Sequence, residues 1–186
     1  MKALLVLALF AAGAASSAHA RILPEDPLHS PMWAYRAAAL FGNDPVRFDL
    51  RVKVLVPVIA EDQHRFPVAV DARNIPGVKR IIIFADLNPI PLAVDYQPTA
   101  SDAYVETRIK LDQRTPVRGA VQLANGEWLV SGNWVDAAGG GCSAPPLSRV
   151  KGDWADHLGE MQGGAWPIVG ATSSSRLRIS FRHPMD

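Results

Sequence analysis

An alternation of apolar and polar side chains runs through the middle of the chain, from Phe48 to Val135. The stretch FDLRVKVLVP, at 48–57, alternates apolar residues with charged ones such as Asp49 and Arg51. Successive side chains of a strand point to opposite faces, so this pattern predicts a half-buried β-strand. Long helical periodicity is missing from this part of the sequence, which argues against a parallel βαβ architecture.

Further segments between Phe48 and Val135 carry strand signals of the same kind. They are FPVAVDA (66–72), VKRIIIFADL (78–87), AYVETRIKLD (103–112), VRGAVQLA (117–124) and EWLVSGNWV (127–135). The last two are joined by Asn125 and Gly126, a strong hairpin signal because both positions tolerate positive φ. Turn clusters such as NIPG and LNPIP separate other segments. The pattern predicts a mainly β fold, an antiparallel β-sandwich.

The segments before and after the predicted sandwich have different sequence patterns. WAYRAAALFG, at 33–42, is rich in alanine and predicts a short helix. DWADHLGEMQ, at 153–162, predicts a second short helix with Asp153 as its N-cap. GGAWPIVGATSSS, at 163–175, is typical of a linker, and RLRISFRHPMD, at 176–186, alternates like a strand. We expect that last strand to close the sandwich, to pair with another chain or to begin a further module.

The N-terminus has the features of a secretory signal peptide. Lys2 is followed by an apolar run at 3–15, and AHA at 18–20 is a small-x-small cleavage site. The apolar run is short for a membrane span. We therefore expect cleavage after Ala20, export to the periplasm and no membrane span in the mature chain.

Charge and histidine spacing limit the classes of partner and cofactor. The 19 Lys and Arg residues nearly balance the 18 Asp and Glu residues, and no basic cluster with interleaved aromatics occurs. Nucleic acid and anionic membranes are therefore poor candidates. His29, His64, His157 and His183 do not fall at zinc-ligand spacing. We expect no metal and, since no cofactor fingerprint occurs, no cofactor.

The single cysteine of the chain, Cys142, follows Gly139, Gly140 and Gly141. One thiol excludes an internal disulfide, and in an oxidising compartment it suggests intermolecular pairing or a reactive group. The glycines lack a Cβ atom, so the backbone can turn freely and approach another surface closely. The immediate neighbours are uncharged, which favours a group loaded by other enzymes over a catalytic nucleophile. A buried cysteine that acts as a small apolar residue is the other interpretation.

Three stretches together carry a resemblance to a known family. WVDAAGGGCSAPP at 134–146, with VLVPVIAEDQHRFPVAVDA and IIIFADLNPIPLAVDY upstream, resembles the sulfur-oxidation carrier SoxY. It is more similar still to the SoxYZ-like carriers associated with quinoprotein dehydrogenases, from about Trp33 to Trp166. The resemblance implies an immunoglobulin-like sandwich in which a cysteine on a flexible glycine arm carries sulfur intermediates covalently, as in thiosulfate oxidation. These roles fall on Cys142 and on Gly139, Gly140 and Gly141.

The sequence departs from SoxY after the cysteine. SoxY ends shortly after its Gly-Gly-Cys-Gly-Gly, whereas 44 residues (186 − 142) follow Cys142 here, and Pro145 and Pro146 stiffen the segment. The dehydrogenase-associated relatives continue into a SoxZ-like module, whose opening strand 176–186 resembles. The implied partners are a SoxZ-like subunit or module, a quinoprotein dehydrogenase and a c-type cytochrome.

These observations divide the chain into segments and leave three functional hypotheses. The segments are a signal peptide (1–20), a leader with a short helix (21–44), a SoxY-like sandwich with its cysteine arm (45–146), a short helix and linker (147–175) and a C-terminal strand that begins a truncated SoxZ-like module (176–186). The main hypothesis is a periplasmic carrier, not an enzyme, that holds a sulfur-type or other small adduct on Cys142. The second is an immunoglobulin-like interaction or maturation module for a periplasmic quinoprotein dehydrogenase, with Cys142 incidental. The third is a cysteine-dependent enzyme that uses His64 or His157 as its base.

Overall fold

The structure, a computed structural model, describes residues 23–142, 154–170 and 174–181. The predicted signal peptide, the Asp153 N-cap and Pro145 and Pro146 lie outside these residues. The elements are α1 (Trp33–Phe41), β1 (Val46–Phe48), β2 (Lys53–Leu55), β3 (Phe66–Asp71), β4 (Val78–Ala85), β5 (Leu92–Tyr96), β6 (Tyr104–Ile109), β7 (Thr115–Leu123), β8 (Trp128–Val135), a 3₁₀ turn (Trp154–His157), β9 (Met161–Pro167) and β10 (Ser175–Phe181).

Two open sheets form the body of the protein. One has five strands in the order β1-β8-β7-β4-β5, and the other has three in the order β2-β3-β6. All pairings within them are antiparallel except β1 with β8, which is parallel. Side chains of both sheets share one apolar core, which includes Val68, Val70, Ile81, Val117 and Leu129. The predicted mainly β sandwich is confirmed.

Helix α1 explains why the central strands are apolar on both faces. Trp33, Ala37 and Phe41 of α1 are buried against Ile82, Phe84, Ala120, Trp128 and Val130, on the side of the five-stranded sheet away from the sandwich core. A strand that is covered on both faces has an almost continuous apolar run. The helix predicted at 33–42 is confirmed, with its end at Phe41.

The segment predicted as one strand at 48–57 is two strands. The N–H of Val52 donates to the carbonyl of Asp49 (3.1 Å), and the N–H of Arg51 donates to the Asp49 carboxylate (2.9 Å). This turn takes the chain from β1 in the five-stranded sheet to β2 in the three-stranded sheet. Aspartate commonly stabilises such turns by accepting from backbone two residues on.

The region after the cysteine also differs from its prediction. The described part of the predicted helix 153–162 is a 3₁₀ turn at Trp154–His157, and the predicted linker contains β9 (Met161–Pro167). β9 pairs antiparallel with β10 along its whole length. The predicted C-terminal strand therefore has its partner within the same chain.

Among the described residues, no helix combines the length and the hydropathy needed to cross a membrane.

Candidate functional site

The segment 136–142, here called the cysteine arm, continues β8 beyond the end of the sandwich. It begins on the β2–β3 connection, where the N–H of Asp136 donates to the carbonyl of Val58 (2.9 Å). The Asp136 carbonyl accepts from the N–H of Ala60 (2.8 Å). The Arg114 guanidinium also contacts the Asp136 carboxylate (2.6 Å). The base of the arm is therefore fixed on both sides.

Gln63 holds the next part of the arm. Its side-chain Oε1 accepts from the N–H of Gly139 (3.1 Å), and its Nε2 donates to the carbonyl of the same glycine. The backbone carbonyl of Gln63 accepts from the N–H of Leu111 (2.8 Å), in the β6–β7 connection. One carboxamide thus pairs with both polar groups of a glycine 76 residues away in sequence.

The β6–β7 connection forms the rest of the surface under the arm. Gly140 donates its N–H to the carbonyl of Asp112 (2.9 Å). Gly141 is buried, and a Cβ atom there would lie 2.2 Å from the carbonyl oxygen of Leu111 and 2.7 Å from that of Gln63. Only a residue without a side chain fits such an approach. We call Gln63 and 110–112 the arm seat.

A buried asparagine fixes the arm seat from behind. Asn88, only 5% exposed, accepts from the N–H of Asp112 (3.0 Å) and donates to the carbonyl of Lys110 (2.7 Å). Its own backbone carbonyl accepts from the Arg36 guanidinium (3.3 Å). Buried polar groups that are satisfied in this way hold a loop in one conformation. The arm seat is therefore a preformed part of the sandwich.

Cys142 is a free, half-buried cysteine at the end of this arm. Burial raises the pKa of its thiol, the negative charge of Asp112 raises it further, and Lys110 opposes both effects. Because the thiolate is the nucleophile of cysteine chemistry, a thiol with a raised pKa is less reactive at neutral pH. The surroundings of Cys142 therefore favour the neutral thiol over the thiolate.

Two of the predicted arm glycines have backbone angles that favour glycine. Gly139 has φ +102° and Gly140 has φ +81°. The structure therefore uses the glycines for a turn and, at Gly141, for a close approach. Their role as a flexible arm stays a prediction. Sequence reasoning missed Gln63, which lies in a stretch that carries the family resemblance, and Asp112, because neither has a role that a local pattern indicates.

Of the two histidines considered as catalytic bases, His157 pairs through its ring, with Nδ1 2.6 Å from Oε1 of Glu160. The hydrogen bond of His64 is made by its backbone N–H, which donates to the Asp62 carboxylate (2.9 Å). In the part of the chain that the structure describes, no three His, Cys, Asp or Glu residues are grouped so that they could hold a metal ion.

Comparisons with known proteins place the fold. The sulfur carrier protein SoxY from Chlorobium limicola f thiosulfatophilum is similar in structure, with 24% identity and a TM-score of 0.51. The match covers 57% of this chain and 96% of that protein. A superoxide reductase (neelaredoxin) from Ignicoccus hospitalis matches at 12% identity and a TM-score of 0.42, over 50% of this chain and 94% of that one. A putative superoxide reductase from Thermotoga maritima has the same identity and TM-score, over 50% of this chain and 93% of that one. A comparison with curated proteins gives no match.

The expected immunoglobulin-like sandwich is thus confirmed by its likeness to SoxY. The family described as "Sulfur oxidation protein SoxY" matches residues 37–142, a range that runs from helix α1 through both sheets and ends at Cys142. This match covers more than half of the chain, and the chain therefore belongs to the SoxY family.

Proposed function

We propose that this protein is a covalent sulfur carrier that bears its cargo on Cys142 and has no catalytic activity of its own. The observation that carries the proposal is the SoxY family match, which ends at the only cysteine of the chain. The name of the structural neighbour, a sulfur carrier protein, supports the same role. The raised thiol pKa also favours a carrier, because a self-sufficient nucleophile needs a lowered one.

Loading joins the sulfur atom of Cys142 to a sulfur atom of the cargo. With thiosulfate, the thiol loses its proton to solvent, an S–S bond forms to the terminal sulfur, and two electrons pass to an acceptor. The acceptor that we propose is a c-type cytochrome acting with the loading enzyme. A later enzyme removes the cargo by hydrolysis: the bond to the Cys142 sulfur breaks, water supplies the hydroxyl that leaves with the cargo, and its proton restores the thiol.

Gly139, Gly140 and Gly141 form the arm in this proposal. Gly139 and Gly140 adopt positive φ in the docked position, and glycine can exchange such angles for extended ones at little steric cost. The arm can then move Cys142 from its half-buried position into the cleft of a partner enzyme. The fixed contacts of Asp136 provide the anchor from which it moves.

The proposed partners are a SoxZ-like subunit or module and a quinoprotein dehydrogenase. Support comes from the β9–β10 hairpin that follows the arm, whose strand pairing puts most of its apolar side chains, though not Trp166, on one face. That face consists of Met161, Gly163, Ala165, Pro167, Ser175, Leu177, Ile179 and Phe181. Its large members are more than half exposed. An exposed apolar face of this kind is typical of an interaction surface.

We place the carrier in the dehydrogenase-associated group and in the periplasm. The internal position of Cys142, with 44 residues (186 − 142) after it, supports the first assignment. The signal-peptide features of 1–20 support the second. We also propose 45–146 as the carrier domain and 176–186 as the beginning of a SoxZ-like module.

A second candidate function is an interaction or maturation module for a periplasmic quinoprotein dehydrogenase. The observation in its favour is the docked, half-buried state of Cys142, which suits an incidental thiol as well as a protected one. The two functions differ in whether the cysteine is required.

A strain of the native host that produces Cys142→Ser tests the proposal. We expect it to lose oxidation of reduced sulfur compounds as completely as a strain without the protein, because serine cannot form the S–S bond. A strain with Ala138→Ser, an exposed position on the same arm, is the control and should retain activity. Normal sulfur oxidation by the Cys142→Ser strain would contradict the carrier role and favour the interaction module.

A further inference from the structure

The contacts of Gln63 tie the cysteine arm to the sandwich in a specific way. Its carboxamide both accepts from and donates to a single residue of the arm, Gly139. Such two-way pairing copies the hydrogen bonding of a neighbouring strand. Because one side chain makes both bonds, losing that side chain would lose both together.

Two further contacts join the glycines next to Cys142 to the arm seat. Gly140 donates one hydrogen bond to the Asp112 carbonyl (2.9 Å), and Gly141 makes only a close approach to the carbonyls of Leu111 and Gln63. Asn88 and the Leu111–Gln63 hydrogen bond keep the arm seat in place without help from the arm. The arm can therefore leave while the arm seat stays folded.

The docked state also contains groups that favour its opening. Oδ1 of Asp112 is buried and, within the described residues, accepts no hydrogen bond. The Cys142 thiol is partly removed from water beside this carboxylate. A buried acceptor without a partner is unfavourable, and undocking would return the half-buried thiol to water. The docked arm is consequently balanced between the Gln63 bonds and this penalty.

We propose that Gln63 is a latch that keeps the cysteine arm docked and Cys142 unreactive until a partner enzyme displaces it. The purpose of the latch rests on the proposed carrier function, since a carrier must protect its thiol between partners and expose it to them. Gln63 acts through the arm and touches no cargo, so it is a positioning residue.

The alkylation rate of Cys142 by iodoacetamide at neutral pH tests the latch, because the chain has no other thiol. In Gln63→Ala, which loses both bonds to Gly139, we expect a rate about tenfold higher than in the parent chain. Gln63→Glu keeps an acceptor for the Gly139 N–H but sets a carboxylate against its carbonyl, and should also react faster.

Gln113 provides a matched control for the loss of a glutamine side chain. Gln113 lies on the β6–β7 connection, and its side chain donates to the carbonyl of Leu87 (3.0 Å) instead of to the arm. Gln113→Ala should alkylate at the parent rate. Thermal unfolding of each variant checks that the sandwich is intact. Hydrogen exchange of the Gly139 and Gly140 amides, measured in the same variants, should be faster only where Gln63 is changed.

The results separate the latch from the carrier function. Equal alkylation rates and equal exchange in the parent chain and both Gln63 variants would overturn the latch, even if Cys142 carries sulfur in the native host. If the Gln63 variants react faster but Cys142 never carries sulfur, the latch stands as a property of the fold and the carrier proposal fails.

Discussion

Arg118 and Asp26 face each other through two hydrogen bonds, from Nη1 to Oδ1 (3.0 Å) and from Nη2 to Oδ2 (2.7 Å), across 92 residues of sequence. Arg118 is fully buried, and its Nε donates to the Asp86 carboxylate (3.0 Å). Its guanidinium also lies 4.8 Å from the Trp33 ring centroid. These contacts fasten the segment before α1 onto the five-stranded sheet.

The first prediction concerns this pair. Asp26→Ala removes one carboxylate from a buried cation, and we expect a loss of about 3 kcal/mol in the free energy of unfolding. The matched control is Asp95→Ala, which breaks the more exposed two-bond pair with Arg80 and should cost less than about 1 kcal/mol. Urea unfolding measures both. Equal losses in the two variants would contradict the structural role of Arg118.

The second prediction concerns stability in acid. Burial opposes ionisation of Asp26, but hydrogen bonds from Arg118 and from the N–H groups of Ser30 and Leu28 outweigh it and lower its pKa. A lowered folded pKa gives stability that is present above the unfolded value of about 3.9 and is lost as pH falls through the folded value. The urea concentration at the unfolding midpoint should therefore decrease as the pH is lowered below about 4. In Asp26→Asn this decrease should be less steep. An identical pH dependence in the two proteins would refute this assignment.

The third prediction uses the close approach at Gly141. Gly141→Ala would place a Cβ atom 2.2 Å from the Leu111 carbonyl oxygen, so the arm should leave its seat. We expect faster alkylation of Cys142 with little change in thermal unfolding, because the sandwich core is untouched. Ala138→Ser, on the exposed part of the same arm, should alkylate like the parent chain. A parent-like rate in Gly141→Ala would mean that the arm is not held at this contact.

The fourth prediction concerns the pH dependence of the thiol. Burial and the charge of Asp112 raise the pKa of Cys142, and Lys110 lowers it. Asp112→Asn removes the nearby negative charge, so the midpoint of the alkylation rate against pH should move to lower pH, whereas Lys110→Ala should move it higher. Since the folded pKa is raised, docking is fully stable below the unfolded pKa and weakens as pH rises through the folded one. If neither variant shifts the midpoint, Asp112 and Lys110 do not influence the pKa of the Cys142 thiol.

The sequence pattern predicts the strands that have a buried face. β4 and β7 are apolar because the sandwich core covers one face of each strand and the cluster around α1 covers the other. Both strands can therefore be recognised in the sequence as apolar runs. β5 (Leu92–Tyr96) was missed, since this edge strand pairs only with β4, is largely exposed and follows the proline-rich LNPIP turn. β9 was missed because Gly163 and Gly164 have low strand propensity, and only pairing with β10 makes that segment a strand.

The candidate site could be predicted only in part. The glycines and Cys142 form a local pattern that resembles a family, so they can be recognised from the sequence. Gln63 reaches Gly139 only because sheet packing brings the β2–β3 connection beside the end of β8. Asp112 reaches Cys142 for the same kind of reason, through the β6–β7 connection. Such contacts depend on tertiary structure, and no local pattern indicates them.

The most direct test of the central claim is the mass of Cys142 in protein purified, without added thiol reductants, from the native host grown on a reduced sulfur compound. The account predicts added mass corresponding to sulfur-containing groups, located by peptide mapping on the peptide with Cys142 and removed by a thiol reductant. It predicts no such mass in Cys142→Ser. A thiol that is free or only oxidised to the same extent under all growth conditions would contradict the carrier function.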